Sequence, residues 1–323
     1  MIGEPIVSIV IVNYNAGDLL RRCLERIDSQ SLQSFEVIIV DNASKDDSLE
    51  GFQLSDRIRI IRNAENRGFA AAQNQGMQAA RSGYLMPLNF DIALSETFLQ
   101  EMVAAIESAP QIATVSCKLL RMGADFTPSQ QIDNVGLLLP ANRVPVHRGV
   151  AETDTGQYDQ PVLVFGAMGA AALYRREAVE QAAYQGQFFD ESYFMWYEEI
   201  DLDWRLRLMG WDCLYAPKAV AYHVGDVHGH GRSKFGAQIS MRNRWRMIAS
   251  NECPRCLLKN IPSILGEEIA LFWYIATRGW IDVYIRALGS FLSSLPATLR
   301  KRSWVRRHAR RSCLPKYPFP IPS

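Results

Sequence analysis

Asparagine and aspartate residues end an apolar segment of this 323-residue sequence, at positions 84–91. The segment stops at Asn89 and Asp91, which are two residues apart. A carboxylate at the end of a buried strand can bind a divalent cation, and that cation can bind a diphosphate. Because Asn and Asp also favour turns after strands, a turn without function is the alternative for this segment alone.

Two other apolar segments end in the same residue types. Residues 7–12 are rich in β-branched side chains and stop at Asn13 and Asn15, and residues 36–40 stop at Asp41. With the strand predicted at 58–61, four strands alternate with helices over about ninety residues, which is typical of a doubly wound, mostly parallel sheet. The carboxyl ends of parallel strands meet at one edge, where Asp41 can accept hydrogen bonds from the base and ribose of a nucleotide.

The phosphate-binding loops of other nucleotide-binding folds are absent from the sequence. No Gly-x-Gly-x-x-Gly follows the first predicted strand, and no Gly-Lys-Ser or Gly-Lys-Thr occurs. These absences disfavour a dinucleotide oxidoreductase and a nucleoside triphosphatase. Phosphates bound without such a loop need another source of positive charge, and a metal ion on Asp91 would provide it.

Carboxylates follow a cluster of aromatic residues in the second half of the sequence. Residues 188–197 are rich in Phe, Tyr and Trp, and Glu198, Glu199 and Asp201 begin the next predicted helix. Acidic residues at a helix N-terminus can simply satisfy backbone N–H groups and the helix dipole. Beside aromatic rings that stack on a sugar, the same carboxylates suit a general base, and their spacing does not select one of the three.

A Gly- and His-rich segment at 225–236 follows a predicted strand that carries His223. The segment contains Arg232, Ser233 and Lys234, which is the composition of a loop that closes over an anionic ligand and excludes water. A histidine on an apolar strand is otherwise a core residue with its hydrogen bonds satisfied.

The chain between these motifs is harder to interpret. Residues 122–161 are rich in Gly, Pro, Asp and Thr, which predicts a surface excursion with a hairpin near 136–146. Gly166 and Gly169 lie among small residues and would allow a ligand to approach the backbone closely. Close packing of backbone on backbone is the equal alternative.

Composition and charge limit the class of protein. The chain has 35 Lys and Arg against 34 Asp and Glu, a balance that argues against a nucleic-acid binder. The first residues lack the pattern of a cleavable export signal, and six scattered cysteines form no framework. We therefore expect a cytoplasmic protein with reduced thiols, in which the Cys253 and Cys256 pair has a structural or incidental role.

The C-terminal part of the sequence has helical periodicity. Apolar residues recur every three or four positions from Leu265 to Phe291, and charged residues keep the apolar runs well short of the roughly 20 residues of a membrane span. Seven Lys and Arg residues and no acidic residue follow at 300–311. This pattern predicts an amphipathic element on an anionic membrane surface, with packing on the protein or on a second subunit as the alternative.

Five ordered motifs, at 7–15, 40–44, 66–74, 88–91 and 197–205, resemble family 2 glycosyltransferases of the GT-A fold. Within that family they resemble the rhamnosyltransferase-like branch that builds bacterial surface polysaccharides such as O-antigen. The resemblance implies an α/β fold with a GT-A type doubly wound, mostly parallel sheet and a C-terminal helical, amphipathic appendage. The implied regions are a nucleotide-sugar-binding half (1–100), an acceptor-binding and catalytic half (101–240), and C-terminal amphipathic helices with a basic tail (241–323).

The resemblance also implies an activity. It is the inverting, metal-assisted transfer of one sugar, rhamnosyl favoured, from a dTDP- or UDP-sugar to a hydroxyl of a glycan or lipid-linked glycan. Mg²⁺ or Mn²⁺ is the expected cofactor, and the expected location is the inner face of the cytoplasmic membrane, with a homo-oligomer allowed. The rival functions are a nucleotide-sugar-binding protein without transfer activity and a sugar nucleotidyltransferase, although the segment 13–17 is not the Gly-rich basic loop that a nucleotidyltransferase needs.

Roles for individual residues follow from the same resemblance. Glu199 corresponds to the catalytic base, with Glu198 and Asp201 as runners-up, and Asp91 and His223 correspond to metal ligands. The residues that correspond to the donor site are Asn13, Asn15, Asp41, Asn66, Arg67, Gly68, Asn74 and Asn89. The residues expected at the acceptor are Gly166, Met168, Gly169 and Trp196, and those expected over the diphosphate are Arg232, Ser233 and Lys234.

The sequence departs from the family pattern at two places. Asn89 stands where the first carboxylate of the Asp-x-Asp motif is expected, which leaves Asp91 alone at that motif. Met241 stands where the Gln-x-x-Arg-Trp motif of processive synthases has Gln, ahead of Arg244 and Trp245. Transfer of one sugar at each visit is therefore expected rather than polymerisation.

Overall fold

The computed structural model describes residues 4–50, 56–123, 125–225, 233–315 and 317. Strands and helices alternate through the first part of the chain. In order they are β1 (Val7–Asn13), α1 (Asp18–Asp28), β2 (Phe35–Asp41), β3 (Ile58–Arg62), α2 (Phe69–Ala79), β4 (Tyr84–Leu88), β5 (Ile92–Leu94), α3 (Phe98–Glu107) and β6 (Ile112–Met122).

Short strands fill the middle of the chain, and long helices end it. The remaining elements are β7 (Pro128–Asn134), β8 (Leu137–Leu138), β9 (Val146–His147), β10 (Val162–Val164), β11 (Ala172–Arg175), α4 (Arg176–Gln181), α5 (Glu198–Leu208), β12 (Asp212–His223), α6 (Lys234–Asn251), α7 (Pro254–Thr277) and α8 (Ile281–His308). β8 and β9 pair as a hairpin, at the place where the sequence predicts one.

One large sheet organises the described part of the chain. Eight of its strands follow the order β10-β12-β6-β11-β4-β1-β2-β3, with β5 beside β12 and β7 beside β6. The strands β1 to β4 are parallel, as are β6 and β12, whereas β11 is antiparallel to both of its neighbours. Helices α1 and α3 share one apolar core with the sheet, and α2 and α5 share another. The mostly parallel α/β sheet and the C-terminal helices confirm the predicted fold.

The central strands are buried on both faces, which explains their continuous apolar sequences. All seven residues of β1 and all seven of β2 are buried. Helix α2 lies close against β1, since a Cβ added at Gly76 would be 2.2 Å from Val10 Cγ1. A larger residue at position 76 would push α2 away from the strands that form the rim described below.

A buried ion cluster joins α5 to α8. Lys301 Nζ lies 2.8 Å from Asp201 Oδ2 and 2.6 Å from Asp190 Oδ2, and Arg205 Nε lies 2.9 Å from Asp201 Oδ2. Burial would raise the pKa of Asp201, but Lys301 and Arg205 outweigh burial and lower it. The cluster fixes the start of α5 against the C-terminal helix.

Only some of the basic residues at 300–311 are exposed to solvent. Lys301, Arg302, Arg306 and Arg311 donate to carboxylates or carbonyl oxygens of the protein itself, whereas Arg300, Arg307 and Arg310 are exposed. Four of the seven basic side chains therefore have partners within the protein, and binding of this stretch to an anionic membrane surface stays a prediction.

Helices α7 and α8 expose apolar side chains on their outer faces. Among them, Leu258 is 72% exposed, Ile269 60%, Trp273 63% and Ile285 63%. None of the described helices combines the length and the apolar character needed to cross a membrane.

The ion cluster generates a stability prediction. Lys301→Ala should lower the free energy of unfolding by about 3–5 kcal/mol at neutral pH, because it leaves the buried Asp190 and Asp201 carboxylates without their shared cation. The pKa values of both carboxyls lie below the ordinary value, so this contribution is present at neutral pH and is lost as the pH falls through the lowered values. Urea unfolding at pH 7 and at acidic pH measures it.

Arg300→Ala is the matched control, since it removes an exposed basic residue beside Lys301. We expect its effect to stay within about 0.5 kcal/mol. Equal effects of the two substitutions would contradict a stabilising role for the cluster.

Candidate active site

The ends of β1 and β2 place Asp41 at the rim of the sheet. Asn13 pairs with Asp41 in the parallel register, and its Nδ2 donates to Asp41 Oδ1, Ser44 Oγ and Ser48 Oγ, each at 3.0 Å. Asn13 is fully buried, and its amide orients the Asp41 carboxylate, so its contact with a ligand stays a prediction. The other carboxylate oxygen of Asp41 lies 3.9 Å from Arg62 Nη1.

Asn42 shapes the neighbouring loop, although the predicted site residues do not include it. Its Oδ1 accepts from Arg67 N at 3.0 Å and from Asn63 Nδ2 at 3.1 Å, and its Nδ2 donates to Asn66 Oδ1 at 2.8 Å. Asn66 and Arg67 are exposed. The loop is therefore held at the end of β2 with the Arg67 side chain at the surface, where it could meet an anionic ligand.

Two residues expected to bind the donor hold an aromatic segment instead. Gly68 has a φ of +84°, and a Cβ there would lie 2.4 Å from the ring of Phe194. The buried Asn74 donates to Phe189 O at 2.7 Å and to Glu191 Oε1 at 3.1 Å, and it accepts from Phe189 N at 2.9 Å. The structure accounts for both residues by these contacts, which corrects the expectation of direct donor binding.

Asn15 and Asn89 lie after the ends of β1 and β4. Asn15 has a left-handed φ of 50°, and its Oδ1 accepts from Lys45 N at 2.8 Å. Asn89 donates from its backbone N to Ala170 O at 2.9 Å. Both residues are half-buried, and their contact with a ligand stays a prediction.

Asp91 and His223 meet where β5 pairs with β12. The register sets His223 opposite Ile92, the residue after Asp91. His223 Nε2 lies 3.3 Å from Asp91 Oδ2, and His223 Nδ1 lies 2.8 Å from Asp133 Oδ2. Asp133 lies on β7, within the stretch for which the sequence predicts only an irregular excursion, so sequence reasoning missed it.

This arrangement fits a divalent cation. Ligand atoms that bind one cation at about 2.0–2.2 Å lie roughly 3.0–3.5 Å apart, and the Asp91 oxygen and His223 Nε2 are spaced accordingly. A metal-binding histidine normally donates its other N–H to a carboxylate, and Asp133 is positioned to accept this hydrogen bond from His223 Nδ1. Burial alone would lower the pKa of His223, but hydrogen bonds to Asp133 and Asp91 raise it to about 9. A cation that binds Nε2 would therefore have to displace a proton from the imidazole.

Glu198 and Glu199 open α5 with carboxyl groups in an apolar setting. Glu198 Oε2 and Glu199 Oε2 are buried and have no hydrogen-bond partner among the described residues. Burial and the neighbouring Glu199 raise the pKa of Glu198 well above its usual value, which favours its neutral form. Burial, with a contribution from Asp203, raises the pKa of Glu199 to about 7, the value that suits a general base.

Asp201 is not placed to act as the base. Its carboxylate is fully buried and belongs to the Lys301 and Arg205 cluster, and it also accepts from Asn251 Nδ2 at 2.8 Å and from the Tyr193 hydroxyl at 3.2 Å. The structure therefore corrects the expectation that Asp201 is a candidate.

The backbone before Glu198 is held in an unusual conformation. Phe194, Trp196 and Tyr197 have φ values of 69°, 62° and 72°, which are costly for residues with side chains. Asn243 of α6 donates from Nδ2 to Tyr193 O, Met195 O and Trp196 O at 2.9–3.0 Å. The buried Asn243 amide therefore fixes the aromatic segment that leads into Glu199, and no motif in the sequence marks it.

Backbone contacts bring Glu199 to the same rim as Asp91. A Cβ added at Gly169 would lie 3.4 Å from Glu199 Cβ, and the next residue, Ala170, accepts the hydrogen bond from Asn89, two residues before Asp91. Met168 and Gly169 are half-buried at this junction. These contacts connect the start of α5 to the backbone that carries Asp91, although Glu199 and Asp91 are more than one hundred residues apart in sequence.

Gly166 and the described end of the 225–236 segment contact other parts of the protein. A Cβ at Gly166 would lie 2.3 Å from Asp203 Oδ2, so the glycine serves helix packing rather than an acceptor. Ser233 caps α6 by accepting from Gly236 N at 2.9 Å, and Lys234 Nζ lies 4.0 Å from Asp282 Oδ1 of α8. Arg232 lies outside the described residues.

Comparison with known proteins identifies a matching family model and several similar proteins. The family model described as Glycosyl transferase family 2 matches residues 8–182. An uncharacterized glycosyltransferase of Bacillus subtilis, EpsJ, is 29% identical over 58% of this chain and 52% of its own length. The chain spans 28–52% of the length of three curated relatives, EpsJ among them.

Two solved structures resemble the chain as a whole. The mannosyltransferase PcManGT of Pyrobaculum calidifontis, in complex with GDP-Man and Mn²⁺, has a TM-score of 0.56 and 17% identity, over 94% of this chain and 86% of its own. GalNAc-T7 with UDP, GalNAc and Mn²⁺ has a TM-score of 0.63 and 16% identity, over 77% of this chain and 48% of its own. At such low identity the likeness concerns the fold.

The hydrogen bond from His223 to Asp133 generates a prediction about metal affinity. Asp133→Asn should weaken Mn²⁺ binding about 10–100-fold, because the amide no longer holds the imidazole in the tautomer that presents Nε2. Calorimetric titration of Mn²⁺ with UDP or dTDP present measures the change.

The control is Asp125→Asn, an exposed aspartate in the same excursion. We expect its Mn²⁺ affinity to match that of the unaltered protein. If Asp133→Asn bound Mn²⁺ as tightly as the control, the metal-orienting role of Asp133 would be refuted.

Proposed function

The chain belongs to glycosyl transferase family 2, because the family model matches more than half of its residues, and from this premise we propose a specific reaction. The protein transfers one sugar, with inversion, from a nucleotide-diphosphate sugar to a hydroxyl of a glycan or lipid-linked glycan. A rhamnosyl group from a dTDP- or UDP-sugar is the favoured donor, on the resemblance to the branch that builds surface polysaccharides. Glu199 is the base of this reaction.

One observation carries the proposal. Glu199 Oε2 has no hydrogen-bond partner among the described residues, the pKa of Glu199 is raised to about 7, and the start of α5 contacts the backbone beside the Asp91 and His223 pair. A base and a candidate cation site are both needed when a hydroxyl displaces a nucleoside diphosphate.

The donor site is assigned to the rim at the ends of β1, β2 and β4. Asp41, oriented by Asn13, accepts from the ribose or base, and the exposed Arg67 lies beside it. Asn15 and Asn89 border the path from the nucleoside to the cation site. These positions support a nucleotide laid across the strand ends, where open α/β sheets bind ligands.

Asp91 and His223 would hold Mg²⁺ or Mn²⁺, which when bound would neutralise the diphosphate as it leaves. The protein's own part is to hold the acceptor hydroxyl against Glu199, which takes its proton as the oxygen attacks the anomeric carbon in line. Glu198, in its favoured neutral form, adds no second negative charge beside the base. A single displacement of this kind inverts the anomeric centre.

Peripheral docking on the inner face of the cytoplasmic membrane is the location that we propose. The outer faces of α7 and α8 combine exposed apolar side chains with exposed basic residues such as Lys259, Arg278 and Arg286. Apolar side chains with a basic border suit an anionic lipid surface.

The role of Glu199 is tested by paired substitutions. Glu199→Gln should lower kcat for sugar transfer or donor hydrolysis by about 10²–10⁴-fold while nucleotide affinity is retained, because the amide cannot accept a proton. Glu198→Gln should keep most of the activity, since burial already favours the neutral form of that carboxyl. Product analysis with a panel of dTDP- and UDP-sugars in Mn²⁺ measures both, and activity that survives in Glu199→Gln would remove Glu199 from its role.

The raised pKa of Glu199 also predicts a pH profile. The base acts when deprotonated, so kcat/KM should rise with pH up to about 7 and then level, rather than level near 4.5 as for an ordinary glutamate. Initial rates between pH 5 and 9 with constant Mn²⁺ give the profile. A plateau that already begins near pH 5 would contradict the proposed environment of Glu199.

A further inference from the structure

A cavity of about 380 Å³ lies between the aromatic segment and the C-terminal helices. Trp196 and Tyr197 line one side, and Tyr197 is the N-cap of α5, two residues before Glu199. Met241 of α6 and Leu271 of α7 line other sides. The cavity therefore adjoins the segment that positions the proposed base.

The lining of the cavity combines aromatic faces with buried polar groups. Arg244 is 3% exposed and pairs with Glu268, yet its Nε has no hydrogen-bond partner among the described residues. Glu267 also lines the cavity, and its Oε2 accepts from Asn142 Nδ2 at 3.0 Å. Aromatic faces with a few donors and acceptors suit the apolar face and hydroxyls of a sugar, and the adjacent carboxylates disfavour an anionic ligand.

The far side of the cavity continues into the exposed apolar face of α7. Leu271 and Tyr274 line the cavity, while Phe272 and Trp273, between them in sequence, are 39% and 63% exposed on the outer face. A molecule that leaves the cavity along α7 thus meets apolar side chains rather than water.

We infer that this cavity receives the acceptor and that the acceptor is an amphiphilic glycoside. Its sugar lies between Trp196 and Arg244, near Glu199, and its apolar chain lies along α7. This inference rests on the proposed function and narrows its acceptor to the lipid-linked class.

Binding of octyl β-glucoside below its micelle concentration tests the inference, with methyl β-glucoside as the probe that lacks the chain. Calorimetry and saturation-transfer NMR should show octyl glucoside binding at least about tenfold more tightly than methyl glucoside, because apolar surface is buried. Leu271→Trp, which fills the cavity, should weaken octyl glucoside binding at least about tenfold. Tyr274→Ala, a change at a half-exposed side chain, should also weaken it.

Leu292→Trp is the control, since Leu292 is exposed on α8 and does not line the cavity. It should bind octyl glucoside as the unaltered protein does. Equal binding by Leu271→Trp, Tyr274→Ala and Leu292→Trp, or equal affinity for the two glucosides, would overturn the inference. Nucleotide binding with Mn²⁺ is measured in parallel. If the protein binds no nucleotide, the proposed function is contradicted. If it binds nucleotide but the cavity substitutions leave octyl glucoside binding unchanged, only the acceptor cavity is contradicted.

A second, independent observation concerns three cysteines at the base of the α7 and α8 hairpin. A disulfide joins Cys256 to Cys313, and Cys253 Sγ lies 3.2 Å from Cys313 Sγ. The three sulfur atoms lie within 4.8 Å of one another. These contacts give Cys253 and Cys256 a structural role, which is one of the two roles that the sequence predicts, whereas the disulfide corrects the expectation of reduced thiols for Cys256 and Cys313.

Other contacts also hold these cysteines together. Arg306 of α8 donates from Nη1 to Ser312 O at 3.2 Å and from Nη2 to Asn251 O, which ties together the chain segments on the two sides of the cluster. Cys253 caps α7, and its Sγ accepts from Cys256 N at 2.9 Å. A helix N-terminus stabilises the thiolate form.

We propose that the reduced cluster binds a Zn²⁺ ion through three thiolates. An external dithiol supplies two electrons to open the disulfide and leaves as its own disulfide, and the three thiols release their protons to solvent as the metal binds. Three sulfur ligands select a soft or borderline cation, and water completes the tetrahedral site. The bound ion would link the start of α7 to the segment after α8 and so stabilise the hairpin that carries the exposed apolar side chains.

Metal analysis of the full chain purified with reductant tests this proposal. The protein should carry about one zinc per chain, and Co²⁺ exchange should give a sulfur-to-cobalt charge-transfer band. Cys313→Ser should lower the zinc content at least about tenfold, whereas Cys117→Ala, a buried cysteine of β6, should not. A persistent disulfide under reductant, or protein without zinc and without the cobalt band, would overturn the proposal.

Discussion

Two carboxylates on one turn of α5 differ in their hydrogen-bond partners. The packing of the C-terminal helices depends on the paired carboxylate, and the proposed chemistry depends on the other. Asp201 is fully paired by Lys301, Arg205, Asn251 and Tyr193, whereas Glu199, two residues earlier, has an oxygen without a hydrogen-bond partner among the described residues. The paired carboxylate anchors the helix to α8 and stabilises the fold. The unpaired one is desolvated, and its raised pKa follows from that desolvation. The same short helix therefore supplies an anchor and a candidate base.

Strain and polar contacts position the rest of this site. The positive φ values of Phe194, Trp196 and Tyr197 would relax in an isolated peptide, and the Asn243 amide holds this segment by three carbonyl oxygens. On the opposite side, the pairing of β5 with β12 sets Asp91 against His223, and Asp133 fixes the imidazole. Each group expected to do chemistry thus has a supporting residue that touches no substrate in the proposed scheme.

The sequence predicts local features better than the contacts between distant elements. The four parallel strands and their polar ends are visible because buried strands are continuously apolar and end in turn residues. Asp133 and Asn243 carry no such signal: one lies in a segment without periodicity, and the other lies on a helix rich in polar residues. Asn74, Gly68 and Gly166 fit the motif or the composition of a site, but burial shows them to be packing residues, and burial cannot be read from residue type alone. Asp201 likewise differs from Glu199 through its partners, and two of these, Asn251 and Lys301, lie far away in sequence.

The central claim is that Glu199 and the Asp91 and His223 pair serve one reaction centre. A crystal structure with Mn²⁺ and a non-hydrolysable nucleotide-diphosphate sugar would test it most directly, through the anomalous signal of manganese. The account predicts manganese bound to Asp91 and to His223 Nε2 at about 2.0–2.3 Å, with the anomeric carbon between the diphosphate and the Glu199 carboxylate. Manganese bound elsewhere, or an anomeric carbon turned away from Glu199, would contradict it.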